Sequence, residues 1–470
     1  MESVQLTEKA YIDLVLTQND AVRQQKLESL ISKEGIKNAQ SIFEPKLVIE
    51  TMKEYGFEQN DTEAEAQRQF KTEYEFDDVT YSTAIKGLLP SGAQYRLFYD
   101  MRDPSNSLQP DDKYGREWTA RTGIELTQPL LKNFGFSANK AAIDIAEKDF
   151  DISTQRFSRT QMTTAYQALV SYAALQQAQQ AANMEKEMLD MENERIELMG
   201  SLAEEGRVTA ALMHLTKSQA MRREARVSAT LKQLRKATAE VRRLLIGADG
   251  SRMVNVVAID ATAPLAAPSG LETEQLATIV KQRPELKEAS LASQQEEKRL
   301  EYAKNQSLYE LNLVLKAGKS GLGENFSGAN DELDSVHDFW TVGAVFTAPL
   351  GNSEAESKEA AASLRSQKAQ QKARSLELLM QDEIVAAYDN VKQSYLEAEH
   401  FQQAVKSLEA AHRENEIRFK EGKMNRLDLL ASQLELIEGR RLLSEKVYEN
   451  RRASLEVKLA EGRILDVHRQ

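Results

Sequence analysis

Two windows of the chain repeat apolar residues at spacings of three and four. Met184, Met188 and Met191 lead on to Leu198, and Leu427, Leu430, Leu434 and Ile437 form a second stripe. No proline lies between residues 130 and 263, and none follows 349. Both windows are rich in Ala, Gln, Glu, Lys, Leu and Arg, the good helix formers. The pattern predicts two helical hairpins, 137–204 with 208–246 and 354–419 with 425–461. A helix over 137–204 would be about 100 Å long at ~1.5 Å per residue, a length that implies coiled-coil or bundle packing. The Met stripe reads as a packing seam. Gly206 in EEGRVTAAL (204–212) and Gly422 in KEGKMNRLDLL (420–430) stand where each hairpin must turn, because glycine accepts the left-handed backbone that ends a helix.

Six other stretches alternate with a period of two and predict half-buried strands: 46–51, 79–87, 94–101, 118–126, 310–316 and 339–348. Charges fall in one phase: Lys86, Arg96, Asp100, Arg121, Glu125 and Lys316. Leu47, Ile85, Leu97, Ile124 and Trp340 fall in the other. Either a soluble sandwich with one wet face or a membrane barrel with a polar lumen would produce this segregation. LLPSGA (88–93) predicts a tight turn between the second and third stretches.

The chain is written twice. QSIFEPKLVI (40–49) matches QSLYELNLVL (306–315), TQPLL (127–131) matches TAPLG (347–351), and EGR (205–207) matches EGK (421–423), in the same order. Residues 1–246 form a first repeat and 271–470 a second. Between them, 247–270 reads as an irregular or β-containing linker. The first repeat carries extra residues within about 50–120, most of which the hairpin around LLPSGA accounts for.

Composition narrows the choices. The net charge is −12 with 29% charged residues, which argues against a nucleic-acid partner. The absence of cysteine excludes disulfides, thiolate metal sites and cysteine nucleophiles. No run of ~18 apolar residues suggests a membrane helix. MESVQLTEKAYID (1–13) shows no signal peptide, so the chain reads as cytosolic or as a mature form restarted with Met. The five histidines are scattered, and no nucleotide loop or nucleophile–base arrangement stands out, so no enzyme, metal or cofactor is expected.

Taken together, the repeats resemble those of the TolC-type outer-membrane efflux proteins over essentially the whole chain. QLTEKAYIDLVLTQNDAV (5–22) resembles that family's start, LETEQLATIVKQRPELKEA (271–289) the start of its second repeat, and ELTQPLLKNFG and FTAPLG its strand-to-helix junctions. The two Gly turns resemble its hairpin tips. The resemblance implies an α+β, mostly α fold: a trimeric outer-membrane β-barrel continuous with a long periplasmic α-helical barrel, with two repeats per subunit. It implies a passive exit duct of a tripartite efflux pump or a type I secretion system. Its partners would be outer-membrane lipid, a periplasmic adaptor protein and an inner-membrane transporter. The tips would form the periplasmic mouth, with Gly206, Arg207, Gly422, Lys423, Arg426 and Asp428 at the gate. The six charged strand residues named above would line the lumen. Asp428 matches an acidic gating position whose first-repeat equivalent is Leu212. Four or six strands per subunit remain open, and a soluble coiled-coil scaffold with a small β domain is the competing reading.

Overall fold

The computed structural model describes residues 3–108, 117–245, 255–261, 263–267 and 270–466. In chain order, strand β1 (Ser3–Leu6) precedes helices α1 (Glu8–Gln18) and α2 (Asp20–Gln40). Strand β2 (Lys46–Gln59), helix α3 (Thr62–Gln67) and strands β3 (Glu73–Leu88), β4 (Gln94–Asn106) and β5 (Trp118–Pro129) follow. The first long hairpin is α4 (Phe136–Glu204) with α5 (Ala210–Leu245). Strand β6 (Asn255–Ala258), helices α6 (Thr273–Gln282) and α7 (Pro284–Gln306), strand β7 (Glu310–Gly323), the short helix α8 (Phe326–Asp331) and strand β8 (Asp338–Thr347) lead to the second hairpin, α9 (Ser353–Lys420) with α10 (Arg426–Ala460). Each of the six alternating stretches lies in a strand, and each long apolar-periodic window lies in a helical hairpin.

The chain divides into two compact units that cut across the sequence halves. One comprises Met1–Leu30, Asp151–Ser290 and Gln371–Gln470, the other Ile31–Phe150 and Leu291–Gln370. The first unit is helical around a small parallel pair, β1 beside β6. Its main core joins Tyr11, Ile12 and Val15 of α1 to Leu169, Tyr172 and Leu175 of α4 and to Val241 and Leu244 of α5. Tyr11 and Tyr172 stack with ring centroids 5.8 Å apart, and the Tyr11 hydroxyl donates to the Val241 carbonyl. Burial pushes the Tyr11 phenol up to about 12, so it stays a neutral donor. A second cluster packs Met380, Ile384, Ala387 and Val391 of α9 on Ala453, Val457 and Ala460 of α10.

Two side chains at the C-terminal caps of short helices do the same work in the two halves. Asn19, after α1, donates to the Leu244 carbonyl at the end of α5 at 3.1 Å. Arg283, after α6, is buried and donates to the Ala460 carbonyl at the end of α10 at 2.9 Å. The Ala460 carbonyl is one that the terminus of α10 leaves without an intrahelical partner. Glu285 grips the same guanidinium through two bonds of 3.1 Å, which explains why Arg-Pro-Glu stand together in the sequence.

The second unit contains a six-stranded, wholly antiparallel sheet in the order β2-β3-β4-β5-β7-β8. The hairpin around LLPSGA therefore contributes two strands to this sheet. Strand alternation places Leu47, Ile85, Leu97, Ile124, Ala317 and Trp340 in one row on one face. That row stays open to solvent in the single chain: Leu47 is 65% exposed and Trp340 77%. At the far end of the same face α8 folds back, burying Met101, Ala120 and Ala329 together. Trp118 there meets Phe326 edge to face.

Strands β2 and β3 run on beyond the stretches that alternate. Residues 52–59 and 73–78 carry charges in both phases and pair through Lys53 with Asp77 at 3.1 Å and Tyr55 with Glu75 at 3.2 Å. A ladder wet on both faces has no amphipathic signature, which is why the alternation ends before the strands do.

Asn450 offers a test of how the linker is held. Its buried amide takes the Ala266 N–H at 2.8 Å and donates to the Ala266 carbonyl. Asn450→Ala should destabilise the chain by about 1–3 kcal/mol, the cost of stranding partly buried backbone groups. Thermal unfolding in detergent measures it, and an unchanged midpoint would show that the linker is not anchored there.

Candidate functional site

The sheet register collects the charged strand residues onto the face opposite the apolar row. Lys46, Lys86, Arg96, Glu125 and Lys316 form one line across five strands. Glu50, Ser82, Asp100, Arg121 and Ser320 form another. All six predicted residues thus share one face. Arg96 lies 3.0 Å from Asp100 and 3.8 Å from Glu125, and the Ser82 hydroxyl donates to Asp100 at 2.6 Å.

Between these two rows runs Phe98, Gly123, Gly318 and Phe339. A Cβ on Gly123 would stand 2.3 Å from the Ala317 carbonyl oxygen, and one on Gly318 2.1 Å from that of Thr122. Strands β5 and β7 approach too closely there for any side chain. Phe98 is buried in this row, with the Arg96 guanidinium 4.6 Å and the Lys316 ammonium 5.0 Å from its ring centre.

The two hairpin turns have the same geometry. Gly206 and Gly422 adopt φ of 72° and 73°. The Arg207 N–H donates to the Leu202 carbonyl and the Gly206 N–H to that of Ala203; Lys423 donates to Arg418 and Gly422 to Phe419 in the same pattern. The next helix is then capped by Thr209, whose hydroxyl accepts the Leu212 N–H, or by Asn425, whose amide oxygen accepts the Asp428 N–H at 2.8 Å. A third turn of this kind closes α10: Gly462 has φ of 75°, and Arg463 donates to Lys458. Glu461-Gly462-Arg463 repeats the Glu-Gly-basic triplet and was legible in the sequence from that alone.

The predicted tip charges divide. Arg207 pairs with Glu205 and Lys423 with Glu421, each within its own exposed turn. Arg426 instead reaches Glu194 of α4 at 2.6 Å, tying the second hairpin to the first. Asp428 is exposed, and among the described residues no basic side chain of the same chain pairs with it.

The two apolar stripes meet each other. Met188 and Met191 pack on Leu430, Leu434 and Ile437, with Met184 and Leu198 at the margin. Beside this seam lies an ion cluster that nothing in the sequence marks. Glu185, 4% exposed, sits 3.3 Å from Arg223 and 3.7 Å from Arg441, and both arginines also contact Glu438, at 3.4 Å and 2.9 Å. The cluster joins α4, α5 and α10. Burial disfavours the Glu438 carboxylate, but Arg441 and Arg223 outweigh it and hold the group below its usual value. Among the described residues no helix is long and apolar enough to cross a membrane, and no group of carboxylates and imidazoles is arranged to hold a metal.

No protein-family model and no curated protein sequence matches the chain. Solved structures do. The outer-membrane channel CmeC of Campylobacter jejuni shares 14% identity, with a TM-score of 0.65 over 97% of this chain and 85% of that one. The outer-membrane protein VceC of Vibrio cholerae shares 15%, with a TM-score of 0.64 over 97% and 96%. The MtrE outer-membrane channel of Neisseria gonorrhoeae, in its open state, shares 14%, with a TM-score of 0.64 over 97% and 89%. The fold of this chain is that of the TolC-type outer-membrane channels.

The ion cluster predicts acid sensitivity. Glu438 is depressed in the folded chain, so its contribution is complete above the ordinary glutamate value of about 4.3 and is lost as pH falls through the lowered one. The unfolding midpoint should drop between about pH 6 and about pH 3, and drop less in Glu438→Gln. Equal drops would assign the acid sensitivity to other carboxylates.

Proposed function

We propose that the chain is one subunit of a homotrimeric outer-membrane exit duct, passive in itself, serving an efflux or secretion machine energised elsewhere. One observation carries the reading: a sheet whose alternating stretches are apolar on one face and charged on the other, with two edge strands, β2 and β8, open to further pairing, in the fold of outer-membrane channels. In lipid, unpaired edge groups each cost several kcal/mol, so the sheet must close. Edge-to-edge pairing of three copies gives an eighteen-stranded barrel, the six strands per subunit all serving as wall. The apolar face then meets lipid, and Lys86, Arg96, Asp100, Arg121, Glu125 and Lys316 line the lumen. Strand β7, at 14 residues, exceeds the roughly 9–11 residues that a tilted barrel strand needs to cross a membrane.

The long hairpins would form a periplasmic α-helical barrel, each subunit contributing two structural repeats and two tips. Gly206 and Gly422 would mark the mouth, six turns per trimer. Docking of a periplasmic adaptor protein and an inner-membrane transporter would part the hairpins. The Arg426–Glu194 pair supports a gate made of ties between hairpins. Asp428, without a basic partner among the described residues, would find one on a neighbouring subunit.

Planar-bilayer conductance of the detergent-extracted protein tests the duct. Discrete steps of one reproducible size support it, whereas a well-folded sample that never inserts supports a soluble coiled-coil scaffold. The gate has its own test. A half-exposed ion pair contributes at most about 1 kcal/mol, so losing Arg426–Glu194 in three subunits shifts the open-to-closed ratio by up to about a hundredfold. Arg426→Ala and Asp428→Ala should each raise resting conductance. Conductance unchanged by either variant would remove that residue from the gate.

A further inference from the structure

We propose that the basic row of the sheet is an anion-attracting belt that makes the duct favour solutes bearing carboxylate or phosphate groups; this deepens, and rests on, the lumen assignment above. Lys46, Lys86 and Arg96 stand directly beside one another on β2, β3 and β4, and Lys316 continues the line past Glu125. Neighbouring strands are about 4.8 Å apart. Like charges directly opposite are destabilising, so three adjacent cations work against the sheet that carries them. Packing offers no compensation, because Lys46 and Lys86 are exposed.

The lysine charges are not cancelled in place. Asp100 and Glu125 both turn to Arg96. No carboxylate pairs with Lys46, Lys86 or Lys316 among the described residues. Lys46 and Lys86 stand one strand apart, well inside the ~8 Å Debye length at physiological salt, and act as one field; Lys316 extends the line three strands further, about 14 Å from Lys86 at ~4.8 Å per strand. Lys46, Lys86 and Arg96 also border a cavity of about 450 Å³ that reaches Glu44 and Tyr95, room for a small polyvalent anion.

The surroundings sharpen the field. The next row is Phe98, two glycines and Phe339, with no charge of its own, and the Lys316 ammonium lies over the Phe98 ring. Apolar surface under a cation limits the water that would screen it. Two rows beyond the belt, Glu50 and Asp100 share a line with Arg121, and further on Glu54 lies opposite Asp78, which pairs with Arg102, leaving four carboxylates to two arginines. The polar face is therefore basic at the end where β5 and β8 lead into α4 and α9, and acidic at the other. In a chain of net charge −12, this concentration of cations on one row runs against the overall balance.

Reversal potentials in a potassium chloride gradient test the belt. Wild-type channels should favour chloride over potassium. The triple variant Lys46→Gln, Lys86→Gln, Lys316→Gln should lower the chloride-to-potassium permeability ratio by about tenfold, the low end of what a focused field does to local counter-ion concentration. Citrate should reduce the wild-type current and leave that of the triple variant unchanged. Lys319→Gln, in the opposite phase of β7, should move neither. Channels of normal step size whose ratio is the same in wild type and triple variant overturn the belt while leaving the duct intact. So does citrate block that survives the triple variant, or a Lys319→Gln effect as large as the triple variant's. Failure of wild-type protein to form channels overturns the duct itself, and the belt with it.

Discussion

Two strands with unpaired edges govern what this chain can be. β2 and β8 bound an antiparallel sheet whose outer phase carries Leu47, Ile49, Trp340, Val342 and Phe346, all exposed in the single chain. Each edge presents backbone donors and acceptors beside apolar side chains, the arrangement that soluble proteins blunt with charge or proline to prevent edge pairing. Neither β2 nor β8 contains a proline, and among the described residues only α8, at one end, covers the apolar phase. In the proposed duct, closure with further copies would answer both demands at once, pairing the edges and turning the apolar phase toward lipid.

The helical part works under a different constraint. Long helices gain little from propensity alone and depend on a continuous packed face. The seam of Met188, Met191, Leu430, Leu434 and Ile437 supplies one, and the cluster of Glu185, Arg223, Glu438 and Arg441 fixes which helices meet along it. Breaking one partner of such a cluster strands a buried charge, so it specifies register more than it adds stability. Toward the turns the ties become exposed ion pairs, Arg207–Glu205, Lys423–Glu421 and Arg426–Glu194. Such pairs are weak and screened by salt, so they hold that end less firmly than the buried cluster does.

Most of the elements were legible because their signals are local. A period of two with charges in one phase located six strands, and glycine at Glu-Gly-basic triplets located both hairpin turns, whose φ values near 72° only glycine takes without strain. Legibility failed where the physics is not periodic. Residues 52–59 and 73–78 form strands wet on both sides. Asn19 and Arg283 cap helices more than 170 residues away in sequence. Arg426 looked like any basic residue beside a turn until Glu194 of a separate hairpin came within reach. Asp428, read as a gating acid from resemblance, is placed at the start of α10 without a basic partner among the described residues.

The sequence by itself determined which residues share a face and where the chain reverses, because alternation, helical periodicity and glycine turns are properties of a few consecutive residues. It also determined the order of strands and hairpins, through two halves written alike. Only the tertiary structure decided how those faces are joined. The register that sets Lys46, Lys86, Arg96, Glu125 and Lys316 in one row depends on hydrogen-bond ladders between distant segments, where a slip of one residue would turn each side chain to the opposite face. The meeting of the Met stripe with the Leu stripe, and of Glu185 with two arginines, likewise rests on contacts across hundreds of residues, which no local pattern encodes.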